Sequence, residues 1–157
     1  MELHRWLNGS GRIVIAGVGS PMRRDDAVGF EIVRRLKGRV EKNILLIECE
    51  TVPENYIGKI EEFKPTHVLI IDAGQLHLKP GRAQLVAPDR IAGVAISTHT
   101  LPLNIFAEYV SRSTGAKIAL LAIQPLDLGL GEGLTSDLEE SVETLANFLL
   151  RTLSSRK

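Results

Sequence analysis

Apolar residues along this 157-residue chain follow two alternating rhythms. Short unbroken runs recur at Ile13-Val14-Ile15-Ala16, Ile44-Leu45-Leu46-Ile47, Val68-Leu69-Ile70-Ile71 and Ile118-Ala119-Leu120-Leu121-Ala122-Ile123. They have the length and β-branched content of strands buried on both faces. Between them the apolar positions fall at helical spacing: Val28, Ile32, Val33 and Leu36, then Tyr56, Ile57, Ile60 and Phe63. The same spacing returns at Leu103, Phe106, Ala107 and Val110, and at Leu138, Val142, Leu145, Leu149 and Leu153. Arg82-Ala83-Gln84-Leu85-Val86 alternates polar with apolar and reads as an edge strand, with an antiparallel direction open to it. Punctuation agrees with these boundaries. Gly38 stops the first helix, Pro53 suits a first helical turn, and Ser136-Asp137-Leu138-Glu139 reads as a capping box. Strands alternating with helices predict an α/β three-layer sandwich, an about five-stranded, mostly parallel twisted sheet with helices on both faces. Residues 1–157 form one expected domain, with 1–11 and 154–157 loosely ordered.

Composition narrows the function classes. Lys plus Arg and Asp plus Glu number 19 each, which argues against nucleic acid or an anionic membrane as partner. No apolar run approaches the ~18 residues of a membrane span, and residues 1–12 lack the apolar core of a secretion signal, so a cytoplasmic location is expected. The single cysteine, Cys49, excludes an intrachain disulfide framework and a multi-cysteine zinc site. It ends an apolar run, so a buried structural thiol is expected.

The candidate chemistry starts in the first loop, where Gly17, Gly19, Asp25 and Asp26 lie between the first strand and the first helix. A dinucleotide loop is a poor alternative. Met22 stands where the third glycine of G-x-G-x-x-G belongs, and two carboxylates at a helix mouth repel a pyrophosphate. Position alone favours helix capping for Asp25. Asp26 gains a functional reading if partners converge on it. In a doubly wound sheet ligands bind beyond the carboxyl ends of the strands. Asp72, the last residue of the third predicted strand, belongs to that edge, and so does His99, in the loop before the third helix. Each has a plain alternative, a turn-capping Asp and a hydrogen-bonded loop His. Two carboxylates and an imidazole suit zinc, nickel or iron by donor type. Without a metal, Asp26 and Asp72 make a carboxylate pair for general acid–base work. No G-x-S-x-G elbow and no H-E-x-x-H motif occurs. Arg23 and Arg24 read as exposed solubilising charges, with guidance of a carboxylate or backbone carbonyl of a substrate as the alternative.

Taken in order, these motifs resemble the maturation endopeptidases of nickel–iron hydrogenases. Gly19-Ser20-Pro21-Met22-Arg23-Arg24-Asp25-Asp26-Ala27-Val28-Gly29 fits that family's G-N-x-x-x-x-D-[DE]-G-x-G loop, with Ser20 in place of Asn and Ala27 in place of Gly. Pro53-Glu54-Asn55, Leu69-Ile70-Ile71-Asp72-Ala73, Thr98-His99-Thr100-Leu101-Pro102-Leu103 and Ile123-Gln124-Pro125 resemble the later motifs. The last two look most like the branch serving formate-hydrogenlyase-type hydrogenases. The resemblance implies that Asp26, Asp72 and His99 contact a metal, with Asp26 and Asp72 as catalytic carboxylates. It also implies cleavage of a short C-terminal extension from the nickel-loaded precursor of a hydrogenase large subunit. The nickel would come with the substrate, and no permanently bound cofactor is expected. A monomer is the favoured state. A non-cutting scaffold for the hydrogenase subunit and a small-molecule metallohydrolase are the competing readings. The second of these calls for a closed pocket at the three residues, the protease for an open groove.

Overall fold

The computed structural model describes residues 2–96 and 101–156. The elements in chain order are α1 (Glu2–Trp6), β1 (Ile13–Val18), α2 (Val28–Leu36), β2 (Ile44–Glu50), α3 (Ile57–Phe63), β3 (His67–Gln75), β4 (Ala83–Val86), β5 (Ala95–Ile96), α4 (Leu103–Thr114), β6 (Lys117–Ile123) and α5 (Ser136–Ser155). Tight 3-10 turns at Arg24–Ala27 and Pro53–Tyr56 lead into α2 and α3, and a third covers Pro88–Gly93. The strand order is β2-β1-β3-β6-β4, parallel except for β4, which runs antiparallel to β6. The expected fold class is therefore found, antiparallel edge strand included. The two-residue β5, which pairs antiparallel with Gly74 and Gln75 at the end of β3, was not visible in the apolar pattern.

The period-two alternation of the strands sorts the core into two layers. Ile13 and Ile15 of β1, Leu69 and Ile71 of β3 and Leu121 and Ile123 of β6 pack with α1, α2 and α5. Val14 and Ala16, Val68 and Ile70, and Leu120 and Ala122 pack on the other face with α3 and α4. Each continuous apolar run feeds both layers, which is why it carries no polar alternation.

Three boundaries differ from the sequence reading. Residues 1–11 contain α1, whose Leu3, with the following Leu7, is buried in the first layer. β3 runs past Asp72 to Gln75, because β6 pairs with Asp72 and Ala73 and β5 continues the ladder. The capping box at Ser136 does not form: Thr135 is the N-cap of α5 and makes no side-chain cap bond. Its hydroxyl is used elsewhere, and Glu139 reaches across to Arg35 of α2.

Candidate functional site

The loop after β1 is built around backbone approaches that only glycine permits. Gly19 has φ of 129°, and a Cβ there would strike the Asp26 carbonyl oxygen. The same position lies 3.4 Å from Asp72 Oδ1. Gly19 is thus the point at which the first loop and the middle of the sheet meet. Its own N–H is held by the Glu50 carbonyl at 2.7 Å. Gly29 does the equivalent work in the first turn of α2: a Cβ there would run into the Ile71 carbonyl and lie 2.9 Å from that of Val18. The N-terminus of α2 therefore sits directly on β1 and β3, one residue before Asp72.

Asp25, Asp26 and Asp72 are all fully buried. Asp26 Oδ2 accepts the Ser20 N–H at 2.7 Å, which folds the loop back on itself. Asp72 Oδ1 accepts the N–H of Ala73 at 2.8 Å. The two carboxylates expected at the site thus come to adjacent residues of the first loop, Asp26 to Ser20 and Asp72 to Gly19. His99 lies outside the described residues, together with Ser97, Thr98 and Thr100. Among the described residues no cluster of three or more His, Cys, Asp or Glu side chains is placed to hold a metal.

Asp25 has a different task from its neighbour, and it is not the cap of its own helix. Its Oδ2 accepts the N–H groups of Leu126 and Asp127 at 2.9 and 3.0 Å, and its Oδ1 that of Thr135 at 2.8 Å. The Thr135 hydroxyl lies 3.0 and 2.8 Å from the two oxygens. One buried carboxylate therefore anchors the loop between β6 and α5 to the first loop. Backbone bonds add to the seam: Asp25 N–H to Asp127 O, Arg24 N–H to Gly131 O, and Gly131 N–H to Met22 O. Arg23 and Arg24 are half-buried rather than exposed. The Arg24 guanidinium lies along Gly131, with Nε 3.2 Å from where a Cβ of that glycine would sit.

On the other side of Gly19 the ladder between β1 and β2 slips. Gly17 pairs with Glu48 and Val18 with Glu50, so Cys49 is the extra residue of a bulge, and Glu50 takes φ of 50°. The bulge ends the ladder where the first loop begins. Cys49 is buried, as expected. Burial, then the charges of Asp72 and Glu54, push its thiol up to about 12. This is an inert thiol and no nucleophile. Glu54, from the 3-10 turn ahead of α3, has a buried Oε1 with no hydrogen-bond partner among the described residues. Sequence reading placed it in a motif without a role. A carboxylate just behind the proline that follows a strand was the available signal.

Gln124, at the end of β6, closes the far side. Its Oε1 accepts the N–H of Leu76 at 2.7 Å and its Nε2 donates to the Pro125 carbonyl at 3.1 Å, fixing the turn after β3. A cavity of about 1000 Å³ runs along the outer edge of the sheet, lined by Trp6, Gln75, Leu85, Arg90 and Val94 among others. Asp26 and Asp72 do not line it. No helix among the described residues is long and apolar enough to cross a membrane.

Comparison with known proteins supplies the family. The family model described as hydrogenase maturation protease matches residues 30–152. The hydrogenase 3 maturation protease of Escherichia coli is 32% identical over 133 residues, covering 84% of this chain and 85% of its own. The crystal structure of the [NiFe] hydrogenase maturation protease HycI of Thermococcus kodakarensis aligns with a TM-score of 0.91 at 37% identity, over 99% of this chain and 100% of that one. The solution structure of the endopeptidase HycI of Escherichia coli aligns at 0.80 with 31% identity, over 89% and 90%. With the strand order, the glycine-built first loop and these likenesses together, the chain belongs to the hydrogenase maturation protease family, a family of peptidases.

Proposed function

We propose that this peptidase removes a short C-terminal extension from the nickel-loaded precursor of a nickel–iron hydrogenase large subunit. Asp26 and Asp72 act at the scissile bond, and His99 completes a ligand set for nickel that the substrate brings. The observation that carries the reading is the arrival of two buried carboxylates at the Gly19–Ser20 segment, Asp26 on the Ser20 N–H and Asp72 beside Gly19, in a chain of this family. Two carboxylates shielded from bulk water attract a cation strongly. Oxygen and imidazole donors complement a metal already held in part by its carrier. Nickel on the substrate would supply Lewis acidity or positioning. Where the metal only positions the peptide, Asp26 or Asp72 takes the proton from the attacking water. The N–H groups of Ser20 and Ala73 fix the two carboxylates in advance and spare them reorganisation on binding.

The test is an intact-mass assay of a large-subunit precursor mixed with this protein, in nickel-loaded and nickel-free tubes. Loss of a C-terminal peptide only with nickel is the expected result. Cleavage in both tubes removes nickel gating and keeps the protease. No cleavage of a competent cognate precursor in either tube overturns the reading in favour of a docking scaffold.

A further inference from the structure

Six large apolar side chains are more than two-fifths exposed among the described residues: Met22, Leu78, Ile105, Tyr109, Leu126 and Leu130. Exposed apolar residues scattered singly need no explanation, but contiguous ones do. Met22, Leu126 and Leu130, at 54%, 60% and 85% exposure, come from the two loops that Asp25 ties together. The Gly131 N–H bonds the Met22 carbonyl, so Leu130 is the chain neighbour of a residue bonded to Met22. Leu126 is itself bonded to Asp25 through its N–H. The three side chains thus crown one seam, which begins one residue from Asp26.

Loop tips are ordinarily polar and mobile. These carry aliphatic side chains on backbones fixed by a buried carboxylate and three loop-to-loop backbone bonds. Fixing them in advance removes most of the ordering cost that a flexible loop would impose on binding. We propose that Met22, Leu126 and Leu130 form a docking platform for apolar side chains of the precursor polypeptide beside its scissile bond. The proposal rests on the endopeptidase reading and names a surface that would select its substrate. Two observations choose this occupant. β1, β3 and β6 are parallel neighbours, so the loops carrying Met22, Leu126 and Leu130 flank the same carboxyl edge of the sheet as Asp26 and Asp72, where the proposed cleavage takes place. Three side chains also fall far short of the ~800 Å² per partner of a standard interface, too little for a stable dimer but suited to a short extended segment.

The experiment compares the wild type with Met22→Ser/Leu126→Ser/Leu130→Ser on a nickel-loaded precursor, measuring kcat and KM. In parallel, the precursor is titrated onto Asp26→Asn proteins with and without the triple change, which reads affinity without cleavage. The expected result is a KM and a dissociation constant raised at least about tenfold with kcat within about twofold, as loss of apolar burial remote from the reacting atoms requires. Tyr109→Gln, an exposed apolar change on α4, leaves both unchanged. Leu130→Arg alone, at the most exposed of the three positions, raises KM at least about threefold, so that a poorly folded triple variant does not decide the matter. Wild-type KM and affinity in the triple variant and in Leu130→Arg overturn the docking platform and leave the protease reading intact. Platform-sensitive binding with no cleavage by either protein does the reverse. A wild type that neither binds nor cuts overturns both. Self-association of the wild type that the triple variant abolishes, with KM unchanged, gives the surface to a second copy and overturns the proposal.

Discussion

Adjacent acids in the first loop divide their labour. Asp25 receives bonds from Leu126, Asp127 and Thr135, which lie more than a hundred residues away, whereas Asp26 turns to Ser20 and the Gly19 junction. Substituting each in turn separates the tasks. Asp25→Ala removes the charged acceptor of three N–H donors and of the Thr135 hydroxyl and is expected to lower stability by about 3 kcal/mol, read from urea midpoints. Asp26→Asn keeps the volume and an acceptor for Ser20, so the protein stays folded with a near-wild-type melting curve while processing of the precursor is lost. Processing by Asp26→Asn at the wild-type rate removes that residue from the chemistry. Cys49 supplies a third test. With its thiol raised to about 12, about one molecule in ten thousand is thiolate at pH 8. Alkylation is therefore expected only after unfolding, and Cys49→Ser retains processing.

Elements meet at this site through backbone rather than side chains. α2 rests on β1 and β3 because Gly29 lets its first turn touch the carbonyls of Ile71 and Val18. Gly29→Ala is expected to lower stability by about 3 kcal/mol, since both obstacles are sheet backbone and cannot rotate away. Gly58→Ala in α3, where a Cβ meets nothing within 4 Å, is expected to raise stability by about 0.5 kcal/mol. Denaturant titration of the pair distinguishes a steric requirement from helix propensity. The bulge between β1 and β2 obeys the same logic. It ends the ladder at Glu50, whose carbonyl then holds Gly19.

At the scale of the whole molecule the two ends of the sheet differ in kind. The carboxyl ends of the strands carry the acids and the paired loops. The other end is closed by α1, with Trp6 edge-on to His67 at 5.0 Å. Burial, then the positive charge of Lys117, lowers the His67 pKa. The folded protein then holds fewer protons at this group than the unfolded chain, whose imidazole titrates near 6.5. Stability from this source is complete above about pH 6.5 and is lost as pH falls through the lowered value. Urea midpoints at pH 7.5 and 5.5 are expected to fall on acidification, and His67→Gln to flatten that fall. An equal slope in the variant assigns the pH dependence to other groups.

The chain by itself determined the layers. Runs that are apolar at every position fit only strands covered on both faces, and helical spacing between them requires the covering helices, so sheet, helices and edge strand follow from local periodicity. Asp26 and Asp72 were likewise legible as candidates, because the carboxyl edge of such a sheet is where ligands bind. Tertiary structure alone decided what each acid does. Capping is the local option for Asp25 and for Ser136, yet Asp25 is claimed by N–H groups and a hydroxyl brought to it by chain folding, and Thr135 takes the place expected of Ser136. The bulge at Cys49, the two-residue β5 and the approach of Asp72 to Gly19 have no periodic signature either. They arise from contacts between segments distant in sequence, and periodicity reports only on neighbours.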